Sequence, residues 1–157
     1  MARRNRFYGL LLSLLLGSAA LPALAQQANF DSLQLAGGFS RSDATVSGNT
    51  GGSFSLDRIA AHDSHGQRCM GFGSERPDHI MTLTEDLGAM SLAVHSGGND
   101  TTLIVQGPGN LLLCGDDGHH GQDAHVQASQ WPRGTYRVWV GSLQPGERWR
   151  YRLTAQQ

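Results

Sequence analysis

Glycine-containing breaks recur roughly every 8 to 12 residues downstream of residue 26, and no stretch between them carries an amphipathic helical period of convincing length. A chain interrupted this often has room only for short extended segments. The expected fold class is therefore all-β, with about eight to ten short, mainly antiparallel strands closing into a β-sandwich. Trp149, Tyr151 and Leu153 alternate with Arg148, Arg150 and Arg152, which puts apolar side chains on one face and guanidinium groups on the other. A solvated strand face explains that arginine ladder better than an anion site. In the preceding segment, residues 134–141, Tyr136, Val138 and Val140 share one face while Arg137 and Trp139 point the opposite way. Residues 143–146, Leu-Gln-Pro-Gly, read as the turn of a hairpin between the two.

Upstream, Met81 with Leu83, and Met90 with Leu92 and Val94, alternate with polar or small neighbours, predicting two strands that pair as a hairpin. Residues 101–106 are rich in β-branched types and run into Gly107-Pro-Gly-Asn110, from which residues 111–114 return as the second arm of a hairpin. A further strand is expected over residues 53–61. Residues 30–52 are rich in Gly, Ser and Asn, with short strand candidates at 32–35 and 44–47, and residues 26–29 are expected to fray.

The first 25 residues read as an address instead of a fold. Arg3, Arg4 and Arg6 make a cationic start, residues 10–16 an apolar run too short to span a bilayer, and Ala23 and Ala25 the small-residue pattern of a signal-peptidase site. No Cys follows the cut, which argues against a lipid anchor. The expected organisation is a signal peptide, residues 1–25, and one β-sandwich domain, residues 26–157, partly irregular over 26–52, delivered to the periplasm or secreted. No second apolar run reaches the roughly 20 residues of a membrane span. Loss of the leader turns 12 basic against 13 acidic residues into 9 against 13, a balance without the footprint of a nucleic-acid partner.

Cys69 and Cys114 are the two cysteines, and both survive export. An even pair in an oxidising compartment predicts a disulfide, and no Cys-His motif surrounds either residue to suggest a nucleophile.

Reaction chemistry finds little purchase. No G-x-S-x-G elbow is present, and Asp63, Ser64 and His65, being contiguous, point their side chains in different directions, against the needs of a triad. The densest polar cluster is Cys114-Gly-Asp-Asp-Gly-His-His-Gly-Gln-Asp123. Three readings of it stand side by side: calcium held by Asp116, Asp117 and Asp123 with Asn99 or Asp100 from a neighbouring loop; a transition metal on His119, His120 and His125; or a solvated Asx-rich loop. The cluster lacks the EF-hand spacing and any His-x-x-x-His pair. His62, His65, His79 and His95 are scattered and read as surface or rim residues. Trp149 reads as core. Trp139 either covers a second layer or is an exposed aromatic for binding.

Asp100-Thr-Thr-Leu-Ile-Val-Gln-Gly-Pro108, Cys114-Gly-Asp-Asp117 and Trp131-Pro-Arg-Gly-Thr-Tyr-Arg-Val-Trp-Val-Gly141, taken together, resemble the bacterial pre-peptidase C-terminal domain, over roughly residues 79–153. The resemblance implies a jelly-roll-like β-sandwich that accompanies a secreted protease without being catalytic, here free-standing. It carries over no catalytic residue, and Asp116 with Asp117 is its one candidate site. The functional expectation is a non-catalytic exported binding or accessory module whose ligand is an extracytoplasmic polymer, glycan or partner protein. The alternatives are a small secreted hydrolase of peptidase type and an envelope protein whose loop calcium fixes.

Overall fold

The computed structural model describes residues 27–118 and 121–157. The expected signal peptide and its expected cleavage site lie outside the described residues, as do His119 and His120. Eleven strands are present among the described residues: β1 (Leu33–Leu35), β2 (Thr45–Asn49), β3 (Phe54–Ser55), β4 (Phe72–Gly73), β5 (His79–Leu83), β6 (Met90–His95), β7 (Thr101–Gln106), β8 (Leu112–Gly115), β9 (His125–Ala128), β10 (Gly134–Ser142) and β11 (Arg150–Gln156). They form a jelly-roll-like sandwich of two sheets. The larger has β10 at its centre, with β5 and β1 on one path, β7 and β8 on another, and β4 and β3 at its far end; the smaller runs β2-β11-β6-β9. All pairings are antiparallel except β1 with β5.

Alternation builds the core. Tyr136, Val138 and Val140 of β10, Leu103 and Val105 of β7, and Met81 and Leu83 of β5 meet Leu92 and Val94 of β6 and Tyr151 and Leu153 of β11. Trp131 closes one end of it, wholly buried, its indole N–H donating to the Met90 carbonyl at 2.9 Å.

The predicted β7–β8 hairpin is present, with Gly107 N–H donating to Leu111 O at 2.8 Å and Gly109 and Asn110 at positive φ in the turn. Two other expected hairpins are not. β5 and β6 lie in different sheets, as do β10 and β11. The reason is edge occupancy: β5 is flanked by β1 and β10, β6 by β11 and β9, and β11 by β2 and β6. Each connection therefore crosses from one layer to the other, so both strands still aim their apolar sides at one core. Trp149, expected in that core, precedes β11 and is half-buried, its backbone N–H donating to Thr50 Oγ1 at 2.8 Å. The strand expected over residues 53–61 shortens to β3 followed by a 3₁₀ turn, Leu56–Arg58.

A second apolar cluster lies on the opposite side of the larger sheet. Leu56 and Cys69 pack there on Ile104, Cys114 and Trp139, with Phe54, Ile59 and Ala60 around them. Residues 56–71 thus form a third layer over part of that sheet, and the disulfide between Cys69 and Cys114, with Cα atoms 5.2 Å apart, ties it to β8. This explains why Leu103, Ile104 and Val105 are apolar in succession: β7 is covered on both faces.

Candidate binding face

A two-sheet sandwich has four sheet faces. Two make the core, and a third, the outer face of the larger sheet, is covered by residues 56–71 around Ile104, Cys114 and Trp139 while Gln34, Thr135 and Arg137 at its other end stay exposed. The outer face of the smaller sheet is the fourth. The registers place its outward residues in rows: Asn49 beside Arg150; Ser47, Arg152 and His95 across three strands; Thr45, Thr154, Ala93 and His125 across four; Gln156, Ser91 and Gln127 across three. No Asp or Glu stands among them, although the chain holds more acidic residues than basic ones. The ion pairs of the described residues leave Arg150 and Arg152 without a carboxylate partner, the recorded pair being Asp63 with His65. Ser47, Asn49, His95, Arg150 and Arg152, with Phe30 at one side, line a shallow groove of about 650 Å³ on this face.

The other residues singled out in the sequence are committed elsewhere. Asp63 Oδ1 accepts from the N–H groups of His65 and Gln67 at 2.8 and 2.9 Å, the arrangement of an Asx turn. Ser64 Oγ accepts from Leu112 N–H at 3.0 Å, and the His65 ring, 69% exposed, stands 3.9 Å from Asp63. Asp63, whose Oδ2 accepts from Cys114 N–H, and Ser64 thus anchor the loop against β8. Asp116 accepts from the N–H of Asp117, and Asp123 Oδ1 accepts from both the N–H and the hydroxyl of Ser96.

Asp123 is therefore drawn toward the β6 end, while burial first, and then Asp117, Asp116 and Glu147, raise the pKa of Asp100. Among the described residues no group of three His, Cys, Asp or Glu side chains converges as a metal would require. Addition of about 5 mM calcium is expected to leave the Tm within about 1 °C, and a larger rise reversed by chelator would restore the site. Trp139 is 5% exposed, its indole N–H donating to Glu75 O at 3.2 Å under the third layer. A ring closed off in this way offers no face for stacking, which corrects the reading of Trp139 as a surface binding aromatic.

One cluster was not anticipated. His79, expected at the surface, is 0% exposed. Its Nδ1 lies 2.6 Å from Asp31 O and its Nε2 2.9 Å from the Tyr151 hydroxyl. A carbonyl only accepts, so Nδ1 carries the proton and Nε2 accepts from Tyr151; burial favours that neutral ring by lowering its pKa. Beside it the buried Asp78 accepts from Asn29 Nδ2 and from Val140 N–H, both at 2.9 Å. Phe30 packs on His79 and Tyr151 with ring centroids 5.8 and 6.5 Å away. This cluster staples residues 29–31 to β5 and β11 and so supports one wall of the groove. The signal was parity: His79 shares its strand face with Met81 and Leu83.

Gly48 makes room for the staple, since a Cβ there would come within 2.4 Å of the Tyr151 hydroxyl oxygen. Gly48→Ala is expected to cost about 2 kcal/mol by displacing that ring and its hydrogen bond, read as a lower urea midpoint.

The molecule is thus a β-sandwich with the outer face of its larger sheet partly covered and the outer face of its smaller sheet polar. No protein-family model matches the chain, and no curated protein matches it. Among solved structures it is similar to the pre-peptidase C-terminal domain of collagenase from Bacillus anthracis, at 13% identity and a TM-score of 0.45, over 80% of this chain and 94% of that one. A likeness of that size carries nothing about ligand or activity. No helix of the described residues is long and apolar enough to cross a membrane.

Proposed function

We propose that this chain is an exported, non-catalytic binding or accessory module that engages an extracytoplasmic polymer, glycan or protein through the outer face of its smaller sheet. The observation that carries the reading is the inventory of faces: two are spent on the core, the outer face of the larger sheet is partly covered, and the outer face of the smaller sheet carries Ser47, Arg152 and His95, all exposed, in one row across three strands. The leader pattern and the Cys69–Cys114 bridge support delivery to an oxidising compartment, periplasmic or extracellular. Ser64 and Asp63, the residues a hydrolase reading would draw on, serve backbone amides instead. The purified protein is expected to retain at least one class of ligand on a combined glycan and protein array, and His95→Glu with Ser47→Glu, both exposed on the outer face, is expected to abolish that retention. Retention unchanged by the two substitutions, or reproducible peptide hydrolysis lost in Ser64→Ala, would refute it.

A further inference from the structure

The groove on the smaller sheet is selective in the kinds of groups it presents. Arg150 and Arg152 stand two residues apart on β11, about 7 Å along the strand, and point the same way. Ser47 and His95 flank Arg152 in one row across β2, β11 and β6, and Asn49 flanks Arg150. The arginines carry their charge free of any carboxylate among the described residues, whereas nearby Asp123 is occupied by Ser96. A guanidinium left unpaired on a carboxylate-free face presents a planar fork of donors matched to a carboxylate.

Three features narrow the partner. A protein interface needs a buried aromatic or aliphatic anchor at its centre, and the sole apolar residue of these outward rows is Ala93. A nucleic acid calls for a broad basic surface, and this chain is acidic apart from its leader. A groove open along three strands, with side-chain hydroxyl, amide and imidazole groups and the half-buried Phe30 ring at its side, suits a polymer of hydroxylated rings.

We infer that this groove binds an acidic polysaccharide, with Arg150 and Arg152 holding its carboxylates and Ser47, Asn49 and His95 meeting its hydroxyls. The inference rests on the outer face being the ligand face and specifies what it takes.

The test is affinity electrophoresis and biolayer interferometry of the purified chain on polygalacturonate, with neutral dextran, duplex DNA and poly-glutamate as comparators. Polygalacturonate is expected to bind more tightly than the other three by about tenfold or more and to weaken severalfold between about 50 and 300 mM NaCl. R150Q/R152Q is expected to lose at least about tenfold in affinity with Tm within about 2 °C of the parent, while the exposed control R133Q binds unchanged. Should the double variant fail to fold, Asn49→Asp, which sets a carboxylate opposite Arg150, is expected to weaken binding in the same direction. Unchanged affinity in these variants, or DNA or poly-glutamate held as tightly as polygalacturonate, overturns the inference. Dextran or a protein retained in place of polygalacturonate, and lost in the outer-face variants, overturns it as well, yet leaves the binding-module reading standing.

Discussion

Replacing Cys69 and Cys114 together by alanine is expected to lower the Tm by about 10–15 °C. The bridge closes a loop whose ends are 45 residues apart. By the chain-entropy relation a loop of that length is worth about 4 kcal/mol, and a domain of this size shifts by about 3–4 °C per kcal/mol. Structure localises the effect. The bridge holds residues 56–71 over Ile104 and Trp139, so its loss frees that layer before it disturbs the core. Amide exchange in β7 and β8 is therefore expected to quicken more than in β6 and β11, and ligand retention by the opposite face is expected to survive at temperatures where the variant is folded. A Tm change under about 3 °C would show that the layer is held by packing alone.

Asp78 supplies the second large effect, one of pH. Burial pushes its carboxyl up to about 6 from 3.8, against the pull of its hydrogen bonds to Asn29 and Val140. The folded chain thus holds a proton on Asp78 that the unfolded chain releases. The stability from this group is complete below about pH 4 and is lost as pH rises through about 6, to the extent of about 3 kcal/mol. His79 acts in the opposite sense: its folded pKa is lowered, so its contribution is present above its ordinary value of 6.5 and falls away as pH drops.

Asp78→Asn removes the first contribution and leaves the second. The stability of the parent relative to Asp78→Asn is accordingly expected to fall by about 3 kcal/mol between pH 4 and pH 7, measured by urea unfolding at each pH. A difference that stays flat over that range would mean that Asp78 is ionised in the fold throughout. His79→Leu should steepen the decline of stability with rising pH, because the opposing contribution is gone. The staple also steadies one side of the groove through Phe30, so loss of binding in Asp78→Asn at neutral pH, with the fold intact, would show that the two are coupled.

Local patterns in the chain foretold the strands better than their partners. The β7–β8 hairpin was legible because Gly107-Pro-Gly-Asn110 supplies both the break and the positive-φ positions within a few residues. The alternation of β10 and β11 was legible for the same local reason, but their supposed hairpin was not, since a four-residue turn and a crossing between sheets leave the same marks on residues 143–146. β9 went unread because four residues, His125–Ala128, are too few to display a period. The covering of Trp139 was signalled indirectly: β7 is apolar at Leu103, Ile104 and Val105 in succession, and Ile104 pairs in register with Trp139, so both faces of that sheet had to be dry.

The candidate face was half visible. Arg150 and Arg152 were plainly on the wet side of a strand, and a solvated face was the sound reading of that strand alone. What changed their meaning was the company brought by β2 and β6, whose outward residues hold no acid to neutralise them.

Composition, glycine spacing and alternation by themselves determined that this chain is all-β, that each strand has an apolar and a polar side, and that its two cysteines pair. Which strands neighbour one another, which outer face is covered, and which polar side chains are left unanswered were decided in three dimensions. The physical reason is that side-chain alternation is a property of one strand's backbone, whereas edges, layers and charge neutralisation are shared between segments far apart along the chain.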